Sequence, residues 1–279
     1  MSIKLVAVDL DGTLLNNQKK MSERTLRTLA ACAEAGIIVI PATGRPATGF
    51  PYVRDNMPGC RYALTSNGAL VYDFKTQSNI YEDCIPVENV LAVMDAVAGC
   101  DVMLDVYVNG WGYSEQKNID NAEHFFDVPE MAHQAKSLVE YIRTTRKSVE
   151  DMREFVTHLG VPAEKLVLFF QNLEYQKTLG KKIADLGFIK VTTAYPNNLE
   201  LNSATANKGD SLLRFGEKLG IKRDEIMAFG DGMNDFDMIR AAGIGVAMAN
   251  ACPELKAIAD RETLSNVEDG VAVELEKLL

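Results

Sequence analysis

The chain opens on two alternating hydrophobic patterns. KLVAV (4–8) and IIVIPA (37–42) are unbroken apolar runs, and RYALTS (61–66) reads as another strand. Between the first two, SERTLRTLAACAEAG (22–36) carries apolar residues at helical spacing, with Leu26, Leu29, Ala30 and Ala33 on one face. Ser22 stands where a helix N-cap belongs, and Gly36 where a helix can end. Strands that are apolar throughout have no solvated face. They imply a parallel sheet with helices on both sides. The end of the chain repeats this alternation: helix 208–220, strand 225–231, short helix 235–243, strand 244–248, a helix opening at Pro253, and a terminal helix 269–279.

The middle has another rhythm. Residues 88–99 are helical in pattern, and DVMLDVYV (101–108), Asn109-Gly110 and WGYSE form a predicted hairpin. A charged, mostly helical stretch runs to about residue 160. Strand 165–171, helix 174–187 and a second hairpin over 188–203 follow. The predicted fold class is α/β, a doubly wound parallel-sheet core with an inserted α+β domain. The core comprises residues 1–84 and 196–279, and the insert residues 85–195.

Composition narrows the partners. The chain has 279 residues, is 47% hydrophobic and carries a formal net charge of -10. Such a surface repels nucleic acid and anionic lipid, so neither is expected as a partner. No apolar run spans a bilayer, and the N-terminus lacks a signal-peptide pattern, so the expected location is cytoplasmic. The expected assembly is a monomer or small homo-oligomer. Cys32, Cys60, Cys84, Cys100 and Cys252 are odd in number and scattered, the pattern of reduced thiols. His124, His133 and His158 form no metal-binding spacing.

The reactive residues fall after strands. Asp9 follows KLVAV, Thr43 follows IIVIP, and Asp231 follows IMAFG. Ligands of open α/β sheets bind at the carboxyl ends of the strands, so these stretches converge on one edge. They bring Asp9, Asp11, Asp231 and Asp235 together with Thr43, Lys208 and Asn234. Several carboxylates in one cleft need a cation, and all-oxygen donors favour a hard ion such as Mg²⁺. Lys208, the Thr43 hydroxyl and the amides around Thr43 and Gly44 can hold phosphate oxygens. Arg45 either binds phosphate or caps a helix. A carboxylate fixed at a strand end, Asp9, suits in-line attack on phosphorus. Asp11, in the turn beyond and next to the flexible Gly12, suits proton transfer to the leaving group and then from water.

DLDGT, the Thr-Gly-Arg after a strand, a Lys-Gly opening a helix, and GDGMND together resemble the haloacid dehalogenase superfamily of aspartyl-phosphate phosphatases. VAVDLDGTLL, PATGRP, TSNGA, NKG, GDGMNDFDMIRAAGIGVAMANA and EDGVA resemble its Cof-type subfamily, which carries an inserted α/β cap that governs substrate choice. The resemblance covers both core halves; the middle matches in position and length, not by motif. It implies Asp9 as nucleophile and Asp11 as general acid/base. It further implies Mg²⁺ held by Asp9, the backbone carbonyl of Asp11, and Asp231, with Asp235 supporting the metal. Thr43, Gly44, Lys208 and Asn234 would contact phosphate. The expected activity is hydrolysis of small phosphate monoesters, sugar phosphates or phosphorylated cofactors. Two alternatives are a sugar phosphomutase and a non-enzymatic regulator switched by phosphorylation of Asp9. A mutase needs basic groups in the insert, where Arg143, Arg146 and Lys147 are expected to form a solvated helix face.

Overall fold

The computed structural model describes residues 2–279, in two compact units: residues up to 82 with 206–279, and residues 83–205. The first unit holds a five-stranded parallel sheet in the order Arg261–Glu262, Ile244–Ala247, Ile226–Gly230, Leu5–Val8, Ile38–Pro41. Alternate residues of its strands enter separate cores. Val6, Val8, Val39, Met227 and Phe229 pack on one face with Leu29, Cys32 and Val271 from the helices. Leu5, Ala7, Ile40 and Ala228 pack on the other with Leu212, Phe215 and Met238. Burying each of the Val, Leu, Ile, Met and Phe side chains among them stabilises the unit by roughly 1.5–3 kcal/mol. Burial on both faces explains the unbroken apolar runs.

The helix Glu23–Glu34 forms as predicted, with the Ser22 hydroxyl accepting from the Thr25 amide and Gly36 following at φ +78. Its buried face differs from the predicted one. Thr25, Thr28, Leu29 and Cys32 are buried, whereas Ala33 is exposed. The reason is polar: Thr25 donates to Asp269 and Thr28 to Glu276 of the C-terminal segment, so hydroxyls occupy the inner face. Strand Tyr62–Thr65 also departs from expectation. It opens a separate three-stranded antiparallel sheet with Leu70–Asp73 and Ser78–Glu82, bridged to the parallel sheet's edge between Ala42 and Leu64.

The second unit is built on a six-stranded sheet, in the order Ile189–Thr192, Asn198–Ser203, Lys165–Phe169, Met103–Val108, Trp111–Glu115, Lys147–Val149. Both predicted hairpins are present, the first turning through Asn109 at φ +51 and Gly110 at φ +79. One face packs Val106, Leu166 and Leu201 against Val90, Val156 and Ile183. The other packs Met103, Val167 and Phe169 against Phe126 and Ile142. Because Asn198–Ser203 pairs with Lys165–Phe169, this unit runs to Thr205 rather than ending at residue 195. The predicted solvated helix face is corrected at two positions: helix Ala135–Thr145 ends before Arg146 and Lys147, and Lys147 opens strand Lys147–Val149. The Arg146 side chain is buried, 5% exposed, with Nε 2.5 Å from Asp105 Oδ2 and its guanidinium over the Tyr107 ring. Arg143 pairs with Glu123, and Lys147 lies over the ring of Trp111, which is 40% exposed. Among the described residues, no helix is long and apolar enough to cross a membrane.

Candidate active site

Asp9 follows Leu5–Val8, and its amide donates to the Phe229 carbonyl, so the end of one strand is tied to its neighbour. Asp231 follows that neighbour, Ile226–Gly230. The chain then makes a one-turn helix, Met233–Asp235, that swings Asp235 back under the strand end. There Asp235 Oδ2 accepts from the amides of Asp231 (3.0 Å) and Gly232 (3.2 Å). Lys208, first residue of helix Lys208–Lys218, donates to Asp9 Oδ1 at 2.7 Å and to Asp235 Oδ1 at 2.6 Å. That helix start is located by close backbone contact. Gly68, at φ +97, lies so near Asn207 that a Cβ would fall 2.3 Å from its carbonyl oxygen, and the Ser211 hydroxyl donates to the Gly68 carbonyl.

Asp9, Asp231 and Asp235 each offer an oxygen, all within 4.8 Å of one another. Three carboxylates thus face one buried ammonium. Burial, with repulsion from Asp235, pushes the Asp9 carboxyl up to about 8 against the pull of Lys208. Burial also pushes Asp231 up to about 6, opposed by the Thr13 hydroxyl, which donates to its Oδ1 at 2.8 Å, and helped by Asp235. Burial would lower Lys208, but Asp235 and Asp9 overcome it and hold the ammonium above its ordinary range. This all-oxygen, under-neutralised donor set fits a hard divalent cation.

Asp11 stands apart. Burial would raise its carboxyl, but Arg45 and Lys19 outweigh that and hold it below the usual range. Arg45 donates to Asp11 through Nε (3.0 Å) and Nη2 (2.7 Å), and Lys19 Nζ lies 2.7 Å away. Thr43 is buried beyond Ile38–Pro41, its hydroxyl accepting from the Arg45 amide at 3.1 Å. Gly44 lies against Asn67, where a Cβ would fall 2.7 Å from the side-chain oxygen. Asn234 is exposed on the turn before Asp235. The structure therefore gathers Asp9, Asp231 and Asp235, pairs Lys208 with Asp9 and Asp235, and ties Arg45 to Asp11. Thr43 and Gly44 sit on the adjoining loop, and Asn234 on the rim. Sequence reasoning missed Thr13 and Lys19. Thr13 lies inside the quoted DLDGT, where a hydroxyl two residues past a candidate acid is a usable signal; one lysine in the polar run NNQKK gives none.

Gly12, at φ +91, packs so close that a Cβ would fall 2.3 Å from Asp231 Oδ2. Gly12→Ala is therefore expected to displace Asp231 and lower kcat/KM by about a hundred-fold. Steady-state kinetics with circular dichroism to confirm folding would check this, and near-normal turnover would contradict it.

The sequence pattern of the haloacid dehalogenase-like hydrolases matches residues 6–275. The chain is 30% identical over 275 residues to the 5-amino-6-(5-phospho-D-ribitylamino)uracil phosphatase YitU of Bacillus subtilis, covering 96% of this chain and 94% of that one. It is 28% identical over 297 residues to the phosphatase YwpJ of the same organism, covering 99% and 100%. A haloacid dehalogenase-like hydrolase from Bacteroides thetaiotaomicron, known by crystal structure, superposes with a TM-score of 0.82 at 29% identity over 100% of both chains. With the motifs at its strand ends and a match over nearly its whole length, the chain belongs to the haloacid dehalogenase-like hydrolase family, as an enzyme of its phosphoric monoester hydrolase type.

Proposed function

We propose that this chain is a Mg²⁺-dependent phosphatase of small phosphate monoesters, sugar phosphates or phosphorylated cofactors, working through an aspartyl-phosphate on Asp9. The observation that carries this reading is the junction of Asp9, Asp231 and Asp235 around Lys208, with a further carboxylate, Asp11, held outside it. In the first step an Asp9 carboxylate oxygen attacks phosphorus, a new P–O bond forms, and the bond to the leaving alkoxide breaks. Arg45 and Lys19 keep Asp11 ionised in the free enzyme; as Arg45 turns to the substrate phosphate, Asp11 takes up the proton that it then gives to the alkoxide. In the second step Asp11 takes a proton from water as the water oxygen attacks phosphorus, and Asp9 leaves as free carboxylate with release of inorganic phosphate. Lys208 orients Asp9 and offers positive charge to the phosphoryl oxygens, with the Thr43 hydroxyl, the Gly44 amide, Arg45 and Asn234 as further phosphate contacts. Asp9, the Asp11 backbone carbonyl and Asp231 would hold Mg²⁺, supported by Asp235, and when bound the ion neutralises charge on the phosphoryl group.

Leaving-group selection is assigned to the inserted unit. The relative YitU is by name a phosphatase of a ribityl phosphate, which supports polyol and sugar phosphates as a substrate class. The phosphomutase alternative loses its motive, because Arg143 and Arg146 are already engaged by Glu123 and Asp105. Phosphate release from a panel of esters, with and without Mg²⁺, tests the reading. Chelation is expected to abolish turnover and Mg²⁺ to restore it. Ca²⁺ should support it poorly, since calcium takes more ligands in looser geometry. Full activity in excess chelator would contradict the metal requirement.

A further inference from the structure

We infer that Lys19 is a positioning residue: together with Arg45 it clamps the Asp11 carboxylate outside the three-carboxylate cluster, and it acts on the reaction only through Asp11. The inference rests on the reading of Asp11 as general acid/base.

The backbone around Lys19 is built to return its side chain to Asp11. Asn16 Oδ1 accepts from the amides of Gln18 (3.0 Å) and Lys20 (3.1 Å), the Asn16 amide donates to the Lys20 carbonyl (3.0 Å), and the Lys19 amide donates to the Asn16 carbonyl (2.9 Å). This closed turn holds Lys19 at φ +57, a conformation unfavourable for a residue with a Cβ. From there its ammonium reaches Asp11 Oδ1 at 2.7 Å while the side chain stays 61% exposed.

Arg45 grips the same carboxylate with two parallel bonds and is itself anchored by Nη1 to the Gly49 carbonyl at 3.3 Å. Asp11 Oδ1 thus accepts from two cations and Oδ2 from one. Three charge-assisted bonds from two cations, reaching both oxygens, restrain a short side chain that is 37% exposed. The need for such fixing is local. Gly12 follows at φ +91, so the backbone beyond Asp11 lacks the steric restraint of a Cβ. A proton carrier must lie within hydrogen-bond reach of the departing oxygen, and an error of about 1 Å costs on the order of a hundred-fold. Arg45, as a phosphate contact, has a second task when substrate is bound; Lys19 keeps one.

The test is a double-mutant cycle. Lys19→Met and Lys19→Arg are made in the parent and in Asp11→Asn, and each protein is assayed on an alkyl phosphate and on p-nitrophenyl phosphate, whose leaving group needs no proton. Lys19→Met is expected to lower kcat on the alkyl ester by about ten-fold or more, with KM changed by less than about three-fold. The loss in kcat/KM, which reports transfer to Asp9, should be smaller on the aryl ester, and Lys19→Arg should recover most of it. In the Asp11→Asn background, Lys19→Met should cause no further loss. A Lys19→Met protein with parental kinetics would overturn the inference. So would a loss that persists undiminished in Asp11→Asn, or an equal loss on both esters with a lowered melting temperature. Asp11→Asn alone leaving alkyl-ester turnover intact would overturn the acid/base reading itself and the inference with it. That result is read from a separate protein, so the two failures are distinguishable.

Discussion

Asp9→Asn is expected to lower phosphatase turnover by at least about ten-thousand-fold while leaving the fold intact. The amide keeps the shape of the carboxylate, and its oxygen can still accept the bond that Lys208 donates to Oδ1 at 2.7 Å. What disappears is the attacking anion and one oxygen donor for the cation, so covalent catalysis and metal binding fail together. Folding should not suffer. Asp9, Asp231 and Asp235 offer oxygens within 4.8 Å of one another, and burial with repulsion from Asp235 already pushes Asp9 up to about 8, toward its neutral form, so the amide changes the charge of the buried site little. The melting temperature measured without metal is therefore expected to equal the parent's, and stabilisation by added Mg²⁺ should shrink. A large drop in melting temperature would show that Asp9 serves the fold more than the reaction.

Asp11→Asn should fail differently. The substitution keeps the backbone carbonyl assigned to the metal and alters a side chain whose hydrogen bonds run to Arg45 and Lys19, outside the group formed by Asp9, Asp231 and Asp235. Metal and substrate binding should survive. Loss of the proton carrier should cost about a hundred- to ten-thousand-fold on alkyl phosphates. On p-nitrophenyl phosphate the first step needs no acid and should be partly rescued, while the second still lacks its base. A burst of p-nitrophenolate followed by slow turnover is the expected trace in rapid-mixing kinetics. Equal loss on alkyl and aryl esters without a burst would remove Asp11 from the acid/base role.

The parts legible in the sequence are those where burial or backbone geometry leaves few choices. Unbroken apolar runs with polar residues immediately after them located the parallel strands and placed Asp9, Thr43 and Asp231 at their ends. Asn109-Gly110 announced its hairpin because both residues adopt positive φ readily. The rest depended on partners distant in sequence. The inner face of Glu23–Glu34 is rotated by hydrogen bonds to Asp269 and Glu276, far along the chain. Arg146 reads as a surface residue of a charged helix until its ion pair with Asp105, across the fold, is seen. The segment 198–203 carries a core-like apolar pattern, but its pairing with Lys165–Phe169 decides which unit it joins. In the site, the residue types and their order were visible, and their division was not. Asp235 shares the buried cluster with Asp9 and Asp231, while Asp11, two residues from Asp9, is drawn off by Arg45 and Lys19.

On the proposed mechanism, phosphorus is transferred to Asp9 and Asp11 governs its release. Intact-protein mass spectrometry after rapid acid quench tests it most directly, with Asp11→Asn mixed with Mg²⁺ and p-nitrophenyl phosphate. One phosphoryl group per chain should accumulate within the first turnover, and peptide mapping should place it on Asp9. The Asp9→Asn protein treated in the same way should carry none. A phosphoryl adduct on Asp9→Asn, or an Asp11→Asn protein that turns over the ester without ever carrying one, would contradict the account.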